Sequence, residues 1–306
     1  MGIVELEGVS KTYGRIAALR NVTLGIQKGV FGLIGPNGAG KSSIIKVILG
    51  LVKADSGLVR VFGKDPWTQG VAIRSRIGVL HEKPEFPHWV TGYQLARLVA
   101  EFKKVGDPDV ESRVLLRRLG LANAMHRQVS TYSAGMVQRL GLAQALMGNP
   151  SLVILDEPTS NLDPDGRREV LQLVQATHED IGTSFFLSSH ILPELQRVCS
   201  HVAIMDQGQV LEEGELRELT SKYSLWTRKI KCEKVGRREE MLKFFKGASD
   251  LTVSTDSVTV RSSSKEWLDD RIDRLISSEV IRPSDIEETS DLLEQLYTQV
   301  LTGGGT

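Results

Sequence analysis

Apolar residues occur along the chain either in short runs of strand length or in longer stretches where they recur every three or four positions. The short runs predict strands at residues 3–9, 16–26, 30–34, 57–63, 77–80, 152–155, 184–187 and 202–205. The periodic stretches predict helices at residues 43–51, 113–119, 135–147, 167–180 and 192–199, with Thr91 capping a further helix. This alternation predicts an α/β fold with a mostly parallel sheet covered on both faces.

Two stretches depart from the alternation. Residues 87–150 are predicted to be helical, which indicates a helical subdomain inserted into the α/β unit. Beyond residue 219 the predicted elements are strand 226–232, helix 237–245, a hairpin over 251–254 and 258–261, helix 265–278, strand 280–286 and helix 289–301. This βαββαβ order is that of a ferredoxin-like module. We therefore predict a first domain over 1–218, an α+β domain over 219–302 and a disordered tail over 303–306.

The composition argues against several classes of protein. The 306 residues include 38 Lys and Arg and 38 Asp and Glu, so the formal net charge is zero. Binding of nucleic acid or of an anionic membrane through the charge of the whole chain is therefore not expected. No window approaches about 20 consecutive apolar residues, so no membrane span is expected. Cys199 and Cys232 are too few for a disulfide framework, which favours a reducing compartment.

Charge is unevenly distributed within the second domain. Residues 222–246 have a net charge of +6, and residues 250–306 have a net charge of −7. The asymmetry fits a basic face turned toward lipid headgroups, nucleic acid or a partner. It also fits two charged faces of one module that offset each other, which is the simpler interpretation.

A glycine-rich segment lies between the strand predicted at 30–34 and the helix predicted at 43–51. Its spacing is that of a P-loop, in which backbone N–H groups surround phosphate oxygens. We expect Lys41 to reach the β- and γ-phosphates and Ser42 to bind Mg²⁺. A glycine-rich turn that merely precedes a lysine is the alternative, and the strand–loop–helix order disfavours it. The predicted nucleotide-binding residues here are Gly35, Pro36, Asn37, Gly38, Ala39, Gly40, Lys41, Ser42 and Ser43.

Two carboxylates follow the four apolar residues at 152–155. A strand buried on both faces has this pattern, so Asp156 and Glu157 should emerge at the carboxyl end of the sheet, where ligands bind in such folds. We expect Asp156 to hold Mg²⁺ and Glu157 to act as general base on the attacking water. An acidic turn after a core strand is the alternative, and the P-loop upstream makes it the weaker one.

Over about residues 3–218 the chain resembles the ATPase subunits of the ATP-binding-cassette (ABC) family. Five motifs in the family's order carry the resemblance. They are the P-loop, the signature segment Tyr132-Ser133-Ala134-Gly135-Met136, the Asp156-Glu157 pair, the D-loop Asn161-Leu162-Asp163 and the switch-histidine segment Ser189-His190. The resemblance implies a P-loop NTPase fold of ABC type, with an antiparallel β subdomain and a helical insert, that uses ATP and Mg²⁺ as cofactors.

The resemblance also implies roles for single residues. Two subunits of the family close head to tail, so Ser133 and Gly135 would contact the γ-phosphate bound at the partner's P-loop, where backbone N–H groups at a helix start favour an anion. His190 would bind the γ-phosphate and help to position Glu157, so that Lys41, Glu157 and His190 form the catalytic set. Tyr13 would stack on adenine, and Asp163 would lie at the nucleotide through the D-loop.

Two positions depart from the family pattern. The usual signature is LSGGQ, and here Ala134 and Met136 replace its second small residue and its glutamine, while Ser133 and Gly135 remain. Glu82 stands where the Q-loop normally has glutamine. A carboxylate there could ligate Mg²⁺ directly, or it could be a solvated loop charge.

The function implied by the resemblance is that of an ATPase subunit of a membrane transporter. A separate permease chain would be its partner, together with a second ATPase subunit in a homo- or heterodimer, which places it on the cytoplasmic face of the membrane. The single cassette and the YSAGM signature look most like subunits that pair with ABC-2-type permeases, mostly exporters, and residues 84–94 around Trp89 are the coupling candidates.

Two other functions are less consistent with the sequence. A soluble ABC ATPase that acts on nucleic acid or the ribosome is disfavoured, because the chain has one P-loop and residues 42–132 leave no room for a long coiled coil. No nucleic-acid partner is therefore expected. A catalytically silent nucleotide switch is disfavoured because both Glu157 and His190 are present.

Overall fold

The computed structural model describes residues 2–223, 226–232, 235–262, 264–278, 280–288, 296–297 and 300–301. The chain divides after Leu216 into two compact units. The elements of the first unit, in chain order, are β1 (Val4–Tyr13), β2 (Ile16–Ile26), β3 (Val30–Ile34), α1 (Lys41–Ile48), β4 (Ser56–Val61), α2 (Gly70–Arg74), β5 (Ile77–Leu80), α3 (Gly92–Phe102), α4 (Pro108–Arg118), α5 (Ala134–Leu146), β6 (Leu152–Asp156), α6 (Pro164–Ile181), β7 (Ser184–Ser189), α7 (Leu192–Val198), β8 (His201–Asp206) and β9 (Gln209–Glu215).

The main sheet of the first unit has six strands in the order β5-β6-β7-β3-β8-β9. All neighbours are parallel except β8 and β9, which are antiparallel. Every residue of β3 and β7 is buried, as expected for central strands covered on both faces. The predicted α/β fold is confirmed, and the carboxyl ends of β3, β6 and β7 lie next to one another at one edge.

A second, antiparallel sheet has the order β2-β1-β4. Its inward side chains share one core with helix α1 and the main sheet, and fully buried members include Leu6, Leu24, Ile44 and Ile154. This is the antiparallel β subdomain implied by the family resemblance. Its packing against α1 holds the start of that helix in place.

The stretch after β5 is helical, as predicted. Helix α3 begins at a capping box in which the Thr91 side chain accepts from the Gln94 backbone N–H, while the Gln94 side chain accepts from that of Thr91. Helix α4 begins at Pro108, earlier than the predicted 113, because the Asp107 carboxylate caps its first turn. The sequence prediction also omitted α2 and β9.

The elements of the second unit, after α8 (Leu216–Tyr223) at the boundary, are β10 (Trp226–Lys231), α9 (Val235–Phe244), β11 (Asp250–Val253), β12 (Ser257–Ser262), α10 (Lys265–Ser277) and β13 (Ile286–Glu288). The antiparallel sheet has the order β11-β12-β10-β13, which is the ferredoxin-like arrangement predicted from the element order. Ile230 and Val260 pack in one core with Phe245 of the turn after α9 and with Leu268 and Leu275 of α10.

The last part of this unit differs from the prediction. A strand was expected over 280–286, but Pro283 begins a short 3₁₀ turn over Pro283–Asp285, and the strand starts only at Ile286. Proline has no N–H for a ladder bond, which explains the delay. Most of the helix predicted at 289–301 lies outside the described residues. Among the residues that are described, no helix is both long enough and apolar enough to cross a membrane.

Candidate nucleotide and catalytic site

The glycine-rich loop joins the buried strand β3 to helix α1. Gly40 immediately precedes the helix with a φ of 109°, a conformation that L side chains rarely adopt. A Cβ on Gly40 would lie 2.6 Å from the Ala18 carbonyl oxygen, and one on Gly35 would lie 2.5 Å from that of Met205. The fold therefore requires glycine at both positions, and the loop lies close against the neighbouring backbone.

Lys41, the first residue of α1, is buried with only 6% of its surface exposed. Its ammonium donates to the Gly35 carbonyl oxygen at 2.6 Å and lies 3.0 Å from Glu157 Oε1. The pairing offsets part of the cost of burying both charges, and removal of either partner would leave the other buried and uncompensated. The cation of the loop and the carboxylate after β6 thus meet at one edge of the sheet.

Glu157 lies directly after β6, and only 8% of its surface is exposed. Its backbone φ is 49°, which is strained for a residue with a side chain and is held because its N–H donates to the Ser188 carbonyl oxygen at 3.1 Å. One carboxylate oxygen faces Lys41, and the other lies 2.8 Å from His190 Nδ1. The three predicted catalytic residues therefore form one contiguous set.

Asp156 and Ser42 form a group of oxygen donors beside this set. Ser42 Oγ donates to Asp156 Oδ2 at 3.2 Å, and Ser188 Oγ donates to Asp156 Oδ1 at 2.6 Å. A hydroxyl and a carboxylate are the donors with which proteins hold Mg²⁺ alongside substrate phosphates. The donor set fits that ion. Among the described residues, no cluster of three or more His, Cys, Asp or Glu could hold a metal ion.

Glu82 reaches the site region through its backbone. Its carbonyl oxygen accepts from Asn161 Nδ2 of the D-loop at 3.3 Å, while the residue itself is exposed. The bond joins the segment after β5 to the D-loop. The role of the Glu82 carboxylate as a metal ligand stays a prediction.

Asp163 is the N-cap of helix α6. Its carboxylate accepts from the Gly166 backbone N–H at 2.8 Å, and Pro164 follows as the first helical residue. Capping of α6 is sufficient to explain an aspartate at this position. A direct contact between Asp163 and a bound nucleotide stays a prediction.

The signature segment begins helix α5. Ser133 is exposed, and its hydroxyl accepts from the Met136 backbone N–H at 3.3 Å. Nothing lies within 4 Å of the place where a Cβ on Gly135 would stand, so the first turn is open. Within the described residues, no hydrogen bond joins Ser133 to the P-loop of its own chain. A contact of Ser133 and Gly135 with a phosphate stays a prediction.

Tyr13 ends strand β1 and is 40% exposed. The Lys11 ammonium lies 5.7 Å from its ring centroid and is itself paired with Asp55 at 2.6 Å. The exposure leaves ring surface for stacking, and the contact with adenine stays a prediction.

The sequence analysis missed two side chains that support the site. Ser188 is fully buried and bonds both Asp156 and the Glu157 backbone N–H, the latter at 3.1 Å. Glu194 of α7, 8% exposed, accepts from Thr159 Oγ1 and lies 3.7 Å from an Arg167 guanidinium nitrogen. Arg167 also donates to the Leu162 carbonyl oxygen at 2.8 Å, so Glu194 connects α7 to the D-loop.

Burial raises the pKa of the Glu194 carboxyl, while the bond from Thr159 and the nearby Arg167 act in the opposite direction. A signal for Ser188 exists in the sequence. Ser188 is one of three serines in strand β7, all of whose residues are buried, and a buried hydroxyl needs a polar partner.

The glycine-rich loop between β3 and α1, with carboxylates at the end of β6, defines a P-loop NTPase. Residues 19–160 match the ABC transporter family. Over 306 residues the chain is 30% identical to the bacitracin transport ATP-binding protein BcrA of Enterococcus faecalis, which covers 99% of this chain and 97% of that protein. It is 34% identical over 233 residues to the lantibiotic transport ATP-binding protein SrtF of Streptococcus pyogenes, with 76% of this chain and 99% of that protein covered.

The solved structures agree. A dimeric structure of MJ0796, a bacterial ABC transporter cassette, is similar with a TM-score of 0.62 and 26% identity, covering 70% of this chain and 99% of that one. A post-hydrolysis state of the same cassette, bound to ADP and Pi, is similar with the same TM-score. The chain therefore belongs to the ATP-binding proteins of ABC transporters and is an ATPase of that family, as the sequence predicted.

Proposed function

We propose that this chain is the ATP-hydrolysing subunit of a transporter whose permease is a separate chain, and that it works as an exporter through ATP-dependent closure of a dimer. The observation that carries the proposal is the buried set in which Glu157 lies between Lys41 and His190. Likeness to the bacitracin transport ATP-binding protein BcrA over nearly the whole chain, including the second unit, supports the transport role.

The set has the features that hydrolysis needs. With ATP at the loop, the Lys41 ammonium would turn from Glu157 Oε1 to the β- and γ-phosphates and leave that oxygen available as a proton acceptor. His190 keeps the opposite oxygen fixed at 2.8 Å, so the carboxylate is aimed without reorganisation. Glu157 would then accept the proton of the attacking water.

The metal and the second subunit complete this mechanism. Ser42 and Asp156 would hold Mg²⁺, which when bound neutralises charge on the phosphates. Ser133 and Gly135 of a second subunit would contact the γ-phosphate at this chain's loop, because within one chain their open helix start has no bond to the P-loop. Tyr13 would stack on the adenine, and Asp163 and Glu82 would lie at the edge of the closed site.

The permease is expected to contact residues 84–94. Trp89 is 74% exposed there, and an exposed indole next to polar residues is typical of an interaction surface. That contact would place the chain on the cytoplasmic face of the membrane. The names of the relatives make bacitracin and lantibiotics the first cargoes to test.

Glu157→Gln tests the mechanism. The variant should bind ATP, form a dimer that persists in ATP, and release phosphate at least 100-fold more slowly than wild type, since it lacks the proton acceptor. The matched control is Glu101→Gln, an exposed carboxylate paired with Arg97 on the surface of α3. If Glu157→Gln stays monomeric in ATP and matches the control in phosphate release, the proposed function is wrong.

A further inference from the structure

Two segments of the helical subdomain are joined by their backbones. One is residues 88–93, which surround Trp89, and the other is residues 125–130, which lead to the signature. Their bonds are Val129 N to Val90 O at 2.9 Å, Ser130 N to His88 O at 3.3 Å and Tyr93 N to Met125 O at 2.8 Å, with a β-bridge between Thr91 and Gln128. We name this pairing the signature bridge.

Tyr132 closes the signature bridge immediately before Ser133. Its hydroxyl donates to the Ala124 carbonyl oxygen at 2.8 Å, and its backbone N–H donates to the Val129 carbonyl oxygen at 3.0 Å. Burial raises the pKa of the Tyr132 phenol, while a hydrogen bond from the Gly92 backbone acts in the opposite direction. The phenol therefore contacts Gly92 of the first segment and Ala124, the residue immediately before the second segment.

Gly92 makes room for this phenol. A Cβ at Gly92 would lie 2.3 Å from Tyr132 Oη and 3.2 Å from its Cζ, so the phenol would have to shift to admit a side chain there. Gly92, the first residue of α3, therefore leaves the space that the Tyr132 hydroxyl occupies.

The signature bridge also fixes the surface around Trp89. The exposed indole stands between His88 and Val90, and the carbonyl oxygens of both neighbours accept bonds from residues 129 and 130. Hydrogen bonds and the Tyr132 ring therefore connect the segment around Trp89 to the residue that precedes Ser133.

We propose that Tyr132 is a positioning residue whose hydroxyl holds Ser133 in fixed register with the Trp89 segment, so that docking at Trp89 and placement of the signature serine are coupled. The effect of Tyr132 on dimer closure rests on the proposed function. The register itself is a property of the single chain and can be measured without ATP.

Three single variants and one double variant test the role of the Tyr132 hydroxyl. Tyr132→Phe removes it and keeps the ring. Tyr93→Phe is the matched control, because it removes a hydroxyl of the same subdomain whose partner, Asp109 of α4, lies outside the bridge. Gly92→Ala pushes a methyl group against Tyr132 Oη, and the double variant with Tyr132→Phe relieves that clash.

The first measurement is hydrogen exchange of the nucleotide-free full chain. Tyr132→Phe should speed exchange about fivefold in the peptides that cover 88–93 and 125–131, as expected for one lost hydrogen bond. Tyr93→Phe should leave the 125–131 peptide unchanged. Equal exchange of that peptide in Tyr132→Phe and in the control would overturn the proposal.

The second measurement uses the Glu157→Gln background and follows dimer formation against ATP concentration. Tyr132→Phe and Gly92→Ala should each raise the ATP concentration for half-maximal dimer about fivefold or more, with unchanged ADP binding by the monomer. The double variant should need less ATP than Gly92→Ala alone, and additive losses would overturn the coupling. If the Glu157→Gln background itself forms no dimer in ATP, the proposed function is contradicted. The hydrogen-exchange measurement without nucleotide then still decides the role of Tyr132.

Discussion

Ser188→Ala is the most informative substitution at the site, because Ser188 touches two of its residues without being one of the predicted catalytic groups. The hydroxyl donates to Asp156 Oδ1 at 2.6 Å and accepts from the Glu157 N–H at 3.1 Å. The Glu157 N–H keeps its bond to the Ser188 carbonyl oxygen in the variant. The lost contact of consequence is therefore the one to the Asp156 carboxylate.

The magnitude follows from the charge of that partner. A hydrogen bond to a charged group contributes about 1.5–3 kcal/mol net, against about 1 kcal/mol for a neutral one. For a domain of this size 1 kcal/mol shifts Tm by about 2–4 °C, so Ser188→Ala should lower Tm by about 3–12 °C. Because Ser188 orients a predicted Mg²⁺ ligand, the Mg²⁺ concentration for half-maximal ATPase activity should rise about 10- to 100-fold.

The matched control lies on the same strand. Ser184 is as deeply buried at the other end of β7, where its hydroxyl accepts from the Gly29 N–H at 3.3 Å. Ser184→Ala should lower Tm by about 2–4 °C and leave the Mg²⁺ requirement unchanged. ATPase activity titrated with Mg²⁺ and thermal unfolding of both variants provide the test. Equal Mg²⁺ requirements in the two variants would refute the role assigned to Ser188.

Three further outcomes are expected. Gly40→Ala should weaken ATP binding and lower Tm more than Gly38→Ala does. Both glycines have positive φ, but only at Gly40 would a Cβ meet backbone, 2.6 Å from the Ala18 carbonyl oxygen. Nucleotide titration and thermal unfolding compare the two variants, and equal losses of ATP affinity and of Tm would contradict the reasoning. Burial raises the pKa of Glu194 above its ordinary 4.5, so wild-type stability should fall as pH rises from about 4.5 through the raised value. Glu194→Gln should therefore gain stability relative to wild type between about pH 4.5 and pH 7 in urea unfolding, and a constant difference would count against this. Tyr13→Phe should keep ATP affinity while Tyr13→Ala weakens it about tenfold, and equal affinities of the two would exclude ring stacking.

Much of the nucleotide site was predictable because its elements are local in sequence. The P-loop needs only a strand, a glycine-rich turn and a helix in succession, and the structure has β3 and α1 in those places. The carboxylates after β6 were predictable for the same reason, since a buried strand must present its next residues at the edge of the sheet. The ferredoxin-like order of the second unit likewise followed from the succession of elements.

Errors arose where the local pattern was ambiguous. The start of α4 was missed because the stretch before residue 113 has weak apolar periodicity, and the Asp107 cap that begins the helix was overlooked. The strand predicted over 280–286 joined two buried apolar residues, Val280 and Ile281, to a later strand across Pro283. Apolar character alone did not distinguish a buried turn from a strand.

By itself the sequence determined the class of site, because spacing within one loop and one strand end is set by local backbone geometry. Only the tertiary structure decided which distant groups meet. Lys41 and His190 converge on Glu157 because β3, β6 and β7 lie side by side in the parallel sheet, which brings their carboxyl ends to one edge. The signature bridge also depends on tertiary structure. Segments 88–93 and 125–130 are distant in sequence and become neighbours only when α3 and α4 fold between them. Contacts of this kind depend on packing across many residues, which no single segment encodes.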